Sequence, residues 1–173
     1  MPKFNVNNIE NAPYFDFIEK TKLRDLNPTE EEMRDYQDIK DLEYDLDEIK
    51  LSNMYSDTDK KIIAELIDEI NNTQVLSADE ETILLKQLDG NDAMATVDKL
   101  FKAYLKLVLF IVHKDICSGI YKDIVPLDVI QYGIFGLLMA IEKYDSKSGY
   151  DFATCAAWWI SKAIKLASII FRI

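Results

Sequence analysis

Residues 126–165, PLDVIQYGIFGLLMAIEKYDSKSGYDFATCAAWWISKAIK, decide how this chain is read. Pro126 suits the first turn of a helix, because its ring fixes φ and its missing N–H has no partner to lose there. The helix it opens runs to about Tyr144. Ser146-Lys147-Ser148-Gly149 supplies a turn, and a second helix runs from about Phe152 towards the end of the chain. Gly133 and Gly136, three residues apart inside the first helix, each cost about 1 kcal/mol relative to Ala. Close approach of a neighbouring helix to that face is the bland offset. In the second helix Trp158 and Trp159 are adjacent. Neighbours on a helix point about 100° apart, so the two rings cannot share one seam, and at least one is expected near a surface or groove. Aromatics at such spacing are more often core than ligand platforms. An exposed member, however, can stack on an unpaired base for about 1–3 kcal/mol.

Upstream, start signals mark further helices. Ser77 and Glu80 form a capping box for a helix carrying Ile83, Leu84, Leu85 and Leu88, which Asp89-Gly90 is expected to stop. Asp92 is read as the cap of a longer helix through about Lys114, with Met94, Val97, Leu100, Phe101, Tyr104, Leu105, Val108 and Ile111 as its apolar stripe, and Gly119 ends that region. Ser56 starts an amphipathic helix with Ile62, Ile63, Leu66, Ile67 and Ile70 on one face. Thr29 and Glu32 form a second capping box ahead of an acidic helix, and residues 1–28 are read as loop with one short helix at most. The class is all-α. An acidic, helical or partly disordered segment over 1–74 precedes a helical domain over 75–173. The expected core is Leu105, Val108, Ile111, Val129, Ile130, Leu137, Ile141 and Ile160. The apolar end, Ser168 to Ile173, is expected to pack on this or another domain.

Five glycines and four prolines in 173 residues leave few turns, in keeping with long helices. The two cysteines and single histidine cannot assemble a zinc site, and both thiols are read as reduced. His113 is read as a packed or surface residue, not a catalytic or metal-binding one. No nucleophile–base pair, phosphate loop or acidic metal pair is present, so neither an enzyme nor a cofactor is expected. The N-terminus lacks a signal-peptide pattern, and the most apolar stretch, residues 153–173, is broken by Lys162, Lys165 and Arg172. A cytoplasmic protein with no membrane partner is expected. The net charge of −11 argues against nucleic acid until its distribution is read. Residues 1–75 hold 19 acidic against 9 basic side chains, residues 99–173 only 6 against 10. The acidic front is expected to lower DNA affinity of the rest, by repulsion or by occupying its basic face.

Residues 127–145 resemble region 2.2 of the sigma-70 family of bacterial RNA polymerase sigma factors, and Gly149 to Ile160 resemble region 2.3. Leu76 to Glu81 are similar to the start of region 1.2, and Tyr104 to Val108 to region 2.1. The four pieces occur in the family's order over about ninety residues. The resemblance implies a sigma region 2-like domain that binds core RNA polymerase and the melted minus-ten promoter element. It assigns Asp128, Gln131 and Leu138 to the clamp helices of the largest polymerase subunit. To the nontemplate strand of promoter DNA it assigns Tyr144, Lys147, Tyr150, Phe152, Thr154, Trp158 and Trp159, with Lys162 and Lys165 near phosphates or the upstream duplex edge. For the two lysines a solvated helix face is an equally good reading. Tyr132 and Ile134 stand where the family carries polar residues, Cys155 where it carries a stacking tyrosine, Asp151 a basic residue and Ser161 an arginine. These departures keep open a second reading, a regulatory or decoy protein that binds polymerase without melting promoters. A third is a plain helical interaction domain.

Overall fold

The computed structural model describes residues 12–42, 45–52, 55–88, 93–119 and 125–171. Among these residues the regular structure is helical and there is no strand. Four helices come from the front of the chain: α1 (Ala12–Thr21), α2 (Glu30–Arg34), α3 (Leu46–Leu51) and α4 (Asp57–Asn71). Four more follow: α5 (Ala78–Gln87), α6 (Ala93–Cys117), α7 (Pro126–Lys143) and α8 (Phe152–Ile170). The starts lie where local chemistry puts them. Thr29 and Ser77 each accept from the backbone N–H three residues on, while Glu32 and Glu80 reach back to the cap N–H, so both boxes close. Ser56 accepts from the Asp59 N–H at the start of α4, and Pro126 opens α7. The Asp89-Gly90 stop, the Asp92 cap, Arg172 and Ile173 lie outside the described residues.

The centre is a three-helix unit of α6, α7 and α8, and glycine decides how closely it packs. A Cβ added at Gly136 would lie 2.5 Å from the Trp159 carbonyl oxygen and 2.7 Å from the Ile160 Cα, so α7 and α8 touch backbone to backbone. On the α6 side, a Cβ at Gly133 would lie 2.9 Å from the Val108 Cγ1. These contacts offset the conformational cost of two helical glycines. All eight expected core residues are buried, none more than 4% exposed. Gly149, at φ +83, makes the left-handed turn into α8 that a side chain would resist.

The remaining elements wrap this unit from two sides. α3 and α4 pack on α6, with Ile49, Ile63, Leu66 and Ile67 buried. The segment 12–41 crosses the other side, where α1, α2 and the short 3-10 turn Ile39–Asp41 lie against α8. Tyr14, Phe17, Ile18, Leu23, Met33 and Ile39 therefore join the same apolar core as α7 and α8. At the end of α8, Phe171 packs on this core while Ile169 and Ile170 are exposed, so the expected burial of the apolar end holds for only part of it.

Candidate functional site

The residues singled out in the sequence fall into two neighbourhoods, one around the 144–152 connection and α8, the other along α7. In the first, Asp145 accepts from the Lys147 N–H, which folds the turn Ser146–Ser148 and leaves Lys147 exposed. Tyr144, half-buried, donates its hydroxyl to the Tyr150 carbonyl at 3.2 Å, closing the loop on itself. Phe152 lies beneath, edge-on to Tyr104 at 4.7 Å and to Tyr144 at 5.3 Å between ring centres. The Tyr104 hydroxyl in turn donates to the Glu81 carboxylate, tying α6 to α5. Tyr144, Lys147 and Lys86 border a groove of about 700 Å³ whose wall includes Leu138, Met94 and Tyr14.

Trp158 and Trp159 are 4% and 3% exposed and meet edge to face at 4.8 Å. The expectation that at least one lies near a surface or groove is met only by Trp158, which lines a groove beside Lys162 and Lys165, while both rings stay buried. Its reasoning assumed a helix with one buried seam. α8 instead has α7 and α6 on one side and α1, α2 and the 39–41 turn on the other, so both directions of the 100° fan lead into protein. Phe152 and Thr154 are each 2% exposed, and Cys155 is 8% exposed. Burial, reinforced by the Asp151 carboxylate, pushes the Cys155 thiol up to about 11 and keeps it protonated at neutral pH. The accessible part of the first neighbourhood is accordingly Tyr144, Lys147 and Tyr150, together with the lysines of α8.

Those lysines face acid from the front of the chain. Lys162 sits 5.8 Å from the centre of the Trp158 ring, within reach of its π face. Lys162, Lys165 and Lys114 line one side of a groove of about 410 Å³, and Glu32, Asp35 and Asp38 line the other. Glu32 is held below the usual carboxylate range, first by the Thr29 backbone N–H, with Lys162 and Lys165 adding a smaller pull. At the start of α8, Asp151 pairs with Lys40 at 3.2 Å on the exposed surface.

Along α7, Asp128 is exposed, Gln131 half-buried and Leu138 8% exposed. α1 lies against the rings interspersed with them, Tyr132 and Phe135. Phe17 stacks on Tyr132 at 5.3 Å and tilts against Phe135 at 5.1 Å, and Tyr14 meets Phe135 at 5.4 Å. Arg24 closes this seam with a two-point fork on Glu142, Nε to Oε2 and Nη2 to Oε1, both at 2.9 Å. α1 is the one short helix allowed within residues 1–28, and its partners, more than a hundred residues away, are what its own sequence does not show.

Other polar groups have structural partners. The Tyr55 hydroxyl meets His113 Nδ1 at 2.7 Å, anchoring the start of α4 to α6, and burial lowers the imidazole below its ordinary pKa. Among the described residues no three metal-ligating side chains cluster, and no helix is long and apolar enough to cross a membrane.

No protein-family model matches the chain. A stretch of 99 residues, 57% of the chain, is 39% identical to the RNA polymerase sigma factor SigA of Listeria monocytogenes serovar 1/2a. The same extent and identity relate it to the RNA polymerase sigma factor SigA of a Bacillus species and to that of Clostridium acetobutylicum. The match covers 25% of each of those proteins, so the chain spans about a quarter of the length of the curated relatives it matches.

Proposed function

Since the chain belongs, over the stretch that matches, to the sigma-70 family of RNA polymerase sigma factors, we propose that it is a sigma-type transcription initiation factor acting in the cytoplasm. It binds core RNA polymerase through the face of α7 that carries Asp128, Gln131 and Leu138, set against the clamp helices of the largest subunit. It binds the nontemplate strand of the minus-ten element at the 144–152 edge. There Tyr144 and Tyr150 offer rings and Lys147 a cation, on a base formed by Phe152, Thr154, Trp158 and Trp159. Lys162 and Lys165 meet phosphates further along α8. In this reading residues 75–173 are the docking domain and residues 1–74 an acidic arm upon it. Binding, not catalysis, is the activity.

One observation carries the proposal. The two stretches that bear the strongest likeness are pressed together in space, with Gly136 of the first against the Trp159 carbonyl and Ile160 Cα of the second. Such a contact needs Gly on α7 and a specific register on α8 at once, so the likeness is one of a packed unit and not of scattered words.

A second reading, polymerase binding without promoter melting, is favoured by a different observation. Phe152, Thr154, Cys155, Trp158 and Trp159 are all less than a tenth exposed, which leaves few rings free to stack. The test is capture of core polymerase on the immobilised chain, followed by binding of a fluorescent nontemplate minus-ten oligonucleotide. Retention of both supports the initiation factor. Polymerase without oligonucleotide selects the second reading, and retention of neither overturns both.

A further inference from the structure

We infer that α1 is an occupant in cis of the α7 docking face, so that polymerase and the chain's own N-terminal helix compete for one surface. This rests on the docking role proposed for Asp128, Gln131 and Leu138. α1 lies against the rings interspersed with them, Tyr132 and Phe135. Pro13, Asp16 and Phe17 line one groove with Asp128 and Gln131, and Tyr14 borders another with Leu138. A helix docking across Gln131, Phe135 and Leu138 must therefore displace the Tyr14 and Phe17 rings from Phe135.

The way α1 is held suits an element that leaves. It has ten residues, too few to persist as an isolated helix, so its order depends on the surface beneath it. Phe17, ringed by Tyr132, Phe135 and Phe171, is its principal plug. Beyond α1, the buried Leu23 follows a turn in which Lys22 takes the left-handed conformation, φ 54, and then comes the Arg24 fork on Glu142. Arg24 and Glu142 are each 45% exposed, so water and salt reach the fork that secures the segment. A face that is occupied most of the time binds its partner more weakly by the fraction of chains that are open, and freeing it restores the difference.

The test uses the full chain with Arg24→Glu, which replaces the fork by repulsion, and the exchange Arg24→Glu with Glu142→Arg, which rebuilds it reversed. Hydrogen exchange of the α1 amides and the Kd for core RNA polymerase are measured on both and on the parent. Arg24→Glu is expected to open α1 and tighten polymerase binding by about tenfold, and the double exchange to reverse both changes. If Arg24→Glu leaves α1 protected, Phe17→Ala, which removes the plug, is carried through the same two measurements. An opened α1 with unchanged or weaker polymerase affinity overturns the inference and leaves the docking role standing. Failure of every form, open or closed, to bind polymerase overturns the docking role itself, and the inference with it.

Discussion

The two sides of α7 are held by different physics. Towards α8 the contact is made by what is missing, the side chain of Gly136, and the surfaces meet at backbone carbonyl and Cα. Towards α1 it is made by what is added, a cluster of rings and one exposed ion pair. Backbone contact cannot be exchanged for another partner without changing the fold. Rings and a solvated fork can, because a foreign helix offers the same chemistry. One side of α7 thus defines the domain, and the other is a surface with a tenant.

The comparison breaks most visibly at the inner side. Trp159→Ala empties a site 3% exposed, and its expected cost is about 3–5 kcal/mol in urea denaturation. A nearly unchanged midpoint would contradict the burial described here. Gly136→Ala drives a methyl into backbone and is expected to cost about 1–3 kcal/mol, at the upper end because backbone cannot rotate aside. Gly133→Ala meets side-chain methyls alone, Val108 at 2.9 Å with Val112 and Ile164 at 3.4 and 3.5 Å, and the helix propensity gained, about 1 kcal/mol, works against the clash. The informative quantity is the difference between the two glycine variants, and equal costs would argue against the closer approach at Gly136.

At the outer side the expected effects are smaller and depend on solution conditions. Burial first, then the Glu142 carboxylate, pushes the Tyr14 hydroxyl up to about 12. The folded form holds this proton where the unfolded form has begun to lose it. Stability from Tyr14 is therefore complete below about pH 10, the ordinary tyrosine value, and falls as pH rises towards 12. A pH series of thermal unfolding should show that loss in the parent and a shallower one in Tyr14→Phe. Identical slopes would mean that Tyr14 is not enclosed. Smallest is the charge effect on DNA. Glu32→Gln, Asp35→Asn and Asp38→Asn together should tighten binding of a nontemplate oligonucleotide a few-fold at low salt, and the gain should vanish at high salt. Weaker or unchanged binding at low salt would show that the acidic side of the groove does not oppose DNA.

What could be read from the sequence was what neighbours along the chain decide. The capping boxes at Thr29 and Ser77, Pro126 at the head of α7 and Gly149 before α8 act within a few residues, and each lies where it was expected. The cost of Gly133 and Gly136 announced a close helix neighbour without saying which. The fate of Trp158 and Trp159 was not legible, because it is set by residues 12–41 arriving on the far side of α8. Nothing in the period of α8 records that arrival. For the same reason the sequence did not show that only Tyr144, Lys147, Tyr150 and the lysines of the candidate DNA edge are accessible, while the likeness that first marked it was clear in the order of four short stretches.

The fork between Arg24 and Glu142 joins residues 118 apart in the chain. At about 5–20 residues per second of synthesis, Arg24 and the α1 helix before it wait roughly 6–24 s before the acid that Arg24 grips has been made. During that interval Tyr14 and Phe17 have no part of α7 to lie against. α1 is made before α7 and can be seated only after it, so a newly made chain passes through a stage in which Tyr132 and Phe135 are in place and the rings that cover them are not yet seated.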